Sequence, residues 1–334
     1  MNFRYDVNLF LVELARTSEI LGEFNARIKL CKFASVLASL FRVKEIRSSS
    51  VLDDINVTLK DILSENIRET SGVLKRKFEY VKIHEAVLRG ENDLLAENFS
   101  LKFVRNVHWL ANCGFVNLSK QKNIDRFLNH ESKKELARLL RIANEPCVDE
   151  PALIRWAIAH LQFALIRPFE SGNDRTNRIL TGLYAKKSKL TTDMPLYVSD
   201  AILEQRGTYF SAIADSQKLH SEDCSAWIKF FLKLVSNQLL KNIALIEKTD
   251  NLYWRTSVIM RGVVSSPKYD LIMDSIFRHP YINSKVLSEE LNVTVGQAKR
   301  YLENLEANGI LVGGDYKRNK VYSFMEMLEL LRMG

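Results

Sequence analysis

The stretch Arg167-Pro168-Phe169-Glu170-Ser171-Gly172-Asn173-Asp174-Arg175-Thr176-Asn177-Arg178 gathers residue types that can hold phosphate. A proline ends an apolar helix, and Gly172-Asn173 makes a turn where backbone can approach a ligand closely. A new helix is expected to start near Arg175, and the free amides at such a start form an anion-binding nest. Arg175 and Arg178 are three residues apart, so both guanidiniums leave the first turn on one side. Two guanidiniums beside a nest of amides make a phosphate site. The same residues also suit a plain helix turn whose arginines pair with Glu170, Asp174 or other carboxylates. Spacing alone leaves both readings open.

The preceding helix adds context. Read together, Trp156-Ala-Ile-Ala-His160-Leu-Gln-Phe163-Ala-Leu-Ile166 and the loop resemble the Fic (Fic/Doc) family. Its signature is a helix A-H-x-x-F-x-x-I followed by H-P-F-x-D/E-G-N-G-R-x-x-R. Eight positions match without a gap: His160, Phe163, Pro168, Phe169, Gly172, Asn173, Arg175 and Arg178. Leu196-Tyr197-Val198-Ser199 and Tyr209-Phe210 resemble the family's segment near the adenine pocket. The amino-terminal helices, with Ser49-Ser50-Val51-Leu52-Asp53-Asp54, resemble its amino-terminal extension, so the likeness covers most of residues 10 to 235.

The resemblance implies a loop that binds nucleotide phosphates through Gly172, Asn173, Arg175 and Arg178. It also implies a histidine that takes the proton from a protein hydroxyl, which then attacks a phosphate and usually places AMP on the target. Three mechanistic positions differ here. The histidine position is Arg167, which stays protonated and cannot be a general base near neutral pH. The magnesium position is Ser171, a poor ligand for a hard cation. The second glycine of the turn is Asp174, which repels phosphate. No catalytic residue is therefore assigned, and loss of the family's protein adenylyltransferase activity (AMPylation) is expected. ATP remains the candidate ligand of a nucleotide-sensing or scaffolding protein, without Mg. The alternative is an active adenylyl- or phosphotransferase that uses ATP with a rewired base. His160, two turns before Arg167 on an apolar helix, reads as a satisfied core histidine, and Glu170 leaves the loop at a different angle from the lost acid.

Many family members carry an inhibitory helix, S/T-x-x-x-E-G/N, whose glutamate pairs with the second loop arginine and blocks the γ-phosphate. Ser49, Asp53 and Asp54 match it. Asp53 is one methylene shorter, which argues against its reaching Arg178. Ser48 to Asp54 also reads simply as a helix cap.

These residues need helices to hold them. With 6 prolines and 13 glycines in 334 residues, long helices are favoured over a turn-rich β fold. Residues 7 to 45 place apolar side chains at helical spacing, including Ile20, Leu21, Phe24, Ile28, Val36, Leu37 and Leu40. The polar run Arg47-Ser48-Ser49-Ser50 is expected to be a turn capping a helix through Ile62. Further helices are expected over 71 to 88, 98 to 112, Leu136 to Ile142, Leu153 to Leu161, Arg178 to Ala185 and Trp227 to about Val258. The helix around Trp156 is apolar on most faces and belongs at the centre of a bundle. Gly114 to His130 is short, polar and non-periodic, a small hairpin or a loop.

Ser265-Ser266-Pro267 is the clearest boundary. Beyond it, Tyr269 to Phe277, Ser284 to Leu291 and Val295 to Asn308 read as three helices, the second capped by Asn283 or Ser284. Gly309 to Val312 and Lys320 to Phe324 read as a hairpin. This pattern resembles a winged helix-turn-helix over residues 267 to 325. The candidate DNA contacts are Thr294, Gln297, Lys299 and Arg300 on the third helix, with Lys317, Arg318 and Lys320 on the wing. From Lys268 to Phe324 eight Lys or Arg face seven Asp or Glu, so a protein-contact role stays beside duplex DNA.

The expected fold is mainly α: a Fic-type helical bundle with an amino-terminal helical extension and a carboxy-terminal winged helix. The expected divisions are 1–92, a 93–236 core, a 237–264 linking helix and 265–334. A net charge of +8 suits a polyanionic partner, though an ordinary basic protein has the same balance. The four cysteines are scattered without paired spacing, which argues against zinc or disulfides. No signal peptide or membrane span is visible, so a cytoplasmic protein is expected. Its candidate partners are DNA, a target protein, another Fic protein or a second copy of itself.

Overall fold

Long apolar-periodic segments with few helix breakers make this a mainly α fold. The structure is a computed structural model. It describes residues 3–64, 67, 81–82, 84–88, 98–112, 127, 129–145, 150–191, 194, 196–218, 223–264, 266–315 and 319–333. A 3₁₀ turn at Val7–Leu9 precedes α1 (Leu11–Leu30), α2 (Ala34–Leu52) and α3 (Leu59–Leu63). Then come α4 (Leu101–Asn112), α5 (His130–Asn144), α6 (Ala152–Ile166), α7 (Asn173–Lys187), α8 (Ser199–Glu204), α9 (Arg206–Lys218) and α10 (Ser225–Val263). The order closes with α11 (Tyr269–Arg278), β1 (Tyr281–Asn283), α12 (Ser284–Leu291), α13 (Val295–Ala307), β2 (Val312–Gly313), β3 (Val321–Ser323) and α14 (Met325–Met333). Among the described residues no helix is long and apolar enough to cross a membrane.

The chain divides into two compact units. The first comprises residues 1–30, 45–56 and 75–240, the second 31–44, 57–74 and 241–334. In the first unit α6 packs against α5, α7 and α9, and α4 packs against α5 and α7. The apolar helix around Trp156 is indeed the central one, burying Leu153, Ile154, Trp156, Ala157, Leu161, Phe163 and Ala164. Two buried indoles each satisfy their one donor on a backbone carbonyl: Trp156 Nε1 donates to Thr181 O at 2.9 Å and Trp227 Nε1 to Ala157 O at 2.8 Å.

In the second unit α11, α12 and α13 accompany an antiparallel sheet of order β1-β3-β2, with Tyr281 opposite Ser323 and Val312 opposite Ser323. Asn283 caps α12, accepting from Val286 N at 2.9 Å, and Thr294 caps α13, accepting from Gln297 N at 3.2 Å. Its core includes Ile272, Ile276, Phe277, Leu287, Leu302, Tyr322 and Phe324.

The turn expected at Arg47–Ser50 is instead the last part of α2. Ser48, Ser49 and Ser50 are buried and bond to other groups, so they do not compete with the helix as free caps would. The cap falls later, at Thr58, whose reciprocal bonds with Asp61 start α3. Most of the helix expected over 71 to 88 and of the segment Gly114 to His130 lies outside the described residues. Strand β1 has three residues, too few for any periodicity to register.

Candidate functional site

The loop between α6 and α7 is held from several sides. Arg167 ends α6 in the left-handed region, φ 43°, with its N–H donating to Phe163 O at 3.1 Å. Phe169 forms an isolated antiparallel bridge with Phe127. Its ring stacks on His108, the centroids 3.7 Å apart. Asn173 clamps the turn: its Oδ1 accepts from Phe169 N at 3.0 Å and its Nδ2 donates to Phe169 O at 2.8 Å. Gly172 sits at φ 72°, and a Cβ there would lie 2.4 Å from Asn112 Oδ1, so only glycine fits. Helix α7 starts at Asn173, two residues before the position expected from sequence.

Two of the altered positions meet each other. Arg167 Nη1 is 3.1 Å from Asp174 Oδ1, and the side chains are 55% and 39% exposed. The group in the base position and the carboxylate in the first turn of α7 thus neutralise one another. Ser171 and Glu170 are both exposed.

Beneath them, Asp53 bridges both loop arginines. Arg175 Nε donates to Asp53 Oδ2 at 2.8 Å, and Arg178 Nη2 lies 2.9 Å from Asp53 Oδ1. Arg175 and Arg178 are only 8% and 4% exposed. Burial alone would raise the Asp53 carboxyl, but Arg178 and Arg175 outweigh it and hold it below its ordinary value. Ser49 adds its hydroxyl at 2.9 Å and its carbonyl at 3.2 Å to Arg178 Nη2. The expectation that Asp53 would fall short of Arg178 is therefore corrected. The end of α2 lies so close that even the short Ser49 side chain touches the same guanidinium. Asp54, at φ 58°, pairs with Arg206 at 3.1 Å. Arg175 Nη1 also donates to Ala111 O at 3.0 Å and to Asn112 Oδ1 at 3.3 Å. The arginines follow the carboxylate-paired alternative, with Asp53 as their partner.

Three buried titratable groups surround this layer. Glu45 accepts from Ser199 Oγ at 2.5 Å and from Ser199 N at 3.3 Å. Burial raises its carboxyl to about 7, against the opposing pull of Ser199 and Arg178. Burial, then the charges of Arg175 and Arg178, push His84 down to about 3. His160 is likewise pushed down to about 3, first by burial. Thr181 Oγ1 donates to Asn177 O at 2.6 Å, so it accepts from His160 Nδ1, and His160 Nε2 accepts from Tyr209 OH at 2.8 Å. His160 is thus a satisfied core histidine, as its sequence context suggests. Glu45, His84 and Asn112 escaped the sequence reading because buried polar side chains on helices carry no motif of their own.

A magnesium nucleotide does not fit the residues present. Asp53 pairs with both loop guanidiniums, Asp174 adds a carboxylate to the first turn of α7, and Ser171 is neutral. Among the described residues no three His, Cys, Asp or Glu gather as a metal site.

The candidate contacts of the second unit are partly engaged. Thr294 is used as the cap of α13 and Gln297 Nε2 donates to Tyr301 OH at 3.2 Å. Lys299 lies 3.5 Å from Glu303, while Lys320 Nζ contacts both carboxylate oxygens of Glu306 at 2.7 Å. Arg300 is exposed. Lys317 and Arg318 lie outside the described residues.

Residues 77–185 match the profile of the Fic/DOC family. A crystal structure of a Fic family protein from Desulfovibrio desulfuricans G20 is similar, with 16% sequence identity, a TM-score of 0.60 and 95% of each chain covered. Fic-1 from C. elegans, residues 134–508, is 17% identical with a TM-score of 0.55, covering 70% of each chain. A Fic domain containing signaling protein from Bacteroides thetaiotaomicron VPI-5482 is 12% identical with a TM-score of 0.54, covering 69% of this chain and 98% of the other. The loop and the helices α6 and α7 that hold it therefore fall within the segment that matches the Fic/DOC family profile, and the chain shares the fold of these Fic structures.

Proposed function

We propose that this protein is a non-catalytic regulator or scaffold, its nucleotide loop turned into a joint between the end of α2 and the start of α7. The carrying observation is the Arg167–Asp174 pair: the base position and the loop-glycine position have become partners of each other. An arginine so placed supplies no general base, and its carboxylate partner opposes a triphosphate. The test is incubation with labelled ATP and Mg²⁺ or Mn²⁺. No self-labelling and no label transfer are expected, and robust transfer would instead favour a transferase with a rewired base. The triple change Arg167→His, Ser171→Asp and Asp174→Gly is the matching gain-of-function experiment.

The helix order and small sheet of the second unit suit a winged helix, and duplex DNA is its proposed partner. Exposed Arg300 and Gln297 on α13 support this, with the net positive charge of the chain. Binding should weaken steeply with salt and on loss of Arg318 and Lys320. Undetectable affinity at low salt would make the module a protein-contact domain, for a target protein or another Fic protein.

A further inference from the structure

In the second unit the start of α13 carries a side-chain amide that is held in place. Gln297 is exposed, yet its Nε2 donates to Tyr301 OH at 3.2 Å, one helical turn on. The Tyr301 hydroxyl is hydrogen-bonded in turn to Ser266 Oγ at 3.1 Å, and Ser266 Oγ accepts from Lys268 N at 3.2 Å. Asn304, further along α13, donates from Nδ2 to Val263 O at 2.8 Å. The helix is thus pinned at Tyr301 and Asn304 to the segment that joins α10 to α11, and the exposed amide is fixed with it. A glutamine free in solvent loses side-chain entropy when it binds, and this one has given up part of that freedom beforehand.

What this relay leaves open defines a partner. One N–H and the carbonyl Oε1 of the Gln297 amide remain unpartnered among the described residues. A donor beside an acceptor on one planar amide matches the major-groove edge of adenine, where N7 accepts and N6 donates. Gly296 precedes Gln297 with open space where a Cβ would stand. No contact within the unit requires glycine there, and glycine weakens a helix, but the absent side chain lets a duplex come close to the backbone. Val295, at the helix start, is the one exposed large apolar side chain of α13, so the outward face lacks the aromatic or aliphatic cluster that centres a protein interface. We propose that Gln297 reads an adenine of duplex DNA and that Tyr301 is the positioning residue that aims it. This rests on duplex DNA being the partner of the second unit.

Selection from a randomised duplex library with the full chain tests both residues. The parent should enrich adenine at one position by about tenfold over the other bases. Gln297→Ala should flatten that position while leaving the salt dependence of binding unchanged, because no phosphate contact is lost. Gln297→Glu should turn the preference from adenine to cytosine, whose N4 amine donates. Tyr301→Phe keeps the ring and removes the hydroxyl. The adenine preference should then fall severalfold with the melting temperature unchanged, a split that a merely structural tyrosine would not give. If Tyr301→Phe melts early, Ser266→Ala takes its place. Duplex binding with no positional preference, or with one indifferent to Gln297→Ala, overturns the proposal and leaves DNA as the partner. A preference that survives both Tyr301→Phe and Ser266→Ala overturns the positioning role. Retention of no duplex at low salt overturns the DNA reading itself, and the proposal with it.

Discussion

The molecule carries two groups of basic side chains answered by carboxylates, and they differ chiefly in burial. In the first unit Arg175 and Arg178 are enclosed, and one carboxylate, Asp53, serves both. In the second, Lys299 and Lys320 stand near the surface with Glu303 and Glu306. Water screens the second group, so its pairs contribute little and come apart readily. The first group has no water to fall back on, so each charge depends on its partner. The same pairing is therefore structural in one unit and reversible in the other.

The largest expected effect comes from taking the shared carboxylate away. Asp53→Ala removes the carboxylate that two buried guanidiniums share, and a loss of about 3–5 kcal/mol is expected. Denaturant unfolding followed by circular dichroism measures it. A loss below about 1 kcal/mol would mean that the buried and exposed groups behave alike.

Glu45 sharpens the contrast within the buried layer, since it lies on α2, which ends just before Asp53, but is held in the opposite state. Its carboxyl is raised to about 7, so the fold keeps a proton that the unfolded chain releases. That contribution is complete below the ordinary carboxylate range and is lost as pH rises through about 7. Asp53, held below its ordinary value, contributes above that range and is lost as pH falls. Glu45→Gln keeps the shape of the neutral form, so it should gain on the parent by about 2–3 kcal/mol at pH 8 and by little at pH 5. Melting temperatures across that range decide it; parallel curves would show that Glu45 is ionised in the fold.

Much of this arrangement was legible beforehand, and the failures have physical causes. Gly172, Asn173, Arg175 and Arg178 announce themselves by local spacing, because a turn and a helix start involve neighbours in sequence. The central place of the Trp156 helix follows from its apolar faces. The Arg47–Ser50 run misled because serines read as caps until their tertiary partners are known, here Arg178 and Asp200. Asp53 misled for a related reason. Side-chain length was visible in sequence, but the separation of α2 from α7 was not. Glu45 meets Ser199 across 154 positions, a distance no local pattern reports.

Between the extremes lies the Arg167–Asp174 pair, in the first unit but half exposed. A double-mutant cycle with Arg167→Ala and Asp174→Ala should give a coupling of about 0.5 kcal/mol or less, as for surface pairs. A coupling several times larger would place the pair with the buried layer and make it part of what holds the loop.

The smallest effect on stability, and the most useful for function, is expected from Glu306→Gln. Glu306 holds Lys320 at 2.7 Å through both oxygens and raises its hold on the proton, while the ammonium also lies 5.0 Å from the Tyr322 ring centroid. The lysine is solvated on its other side, so losing the carboxylate should leave the melting temperature unchanged within error. The change removes one of seven acidic groups facing eight basic ones between Lys268 and Phe324 and frees the Lys320 ammonium to meet phosphate. Duplex DNA should then bind more tightly, and the log–log salt slope should steepen by about one. Fluorescence anisotropy at two salt concentrations measures both. An unchanged slope would mean that Lys320 props the hairpin against α13 and meets no phosphate, favouring a protein partner for that face.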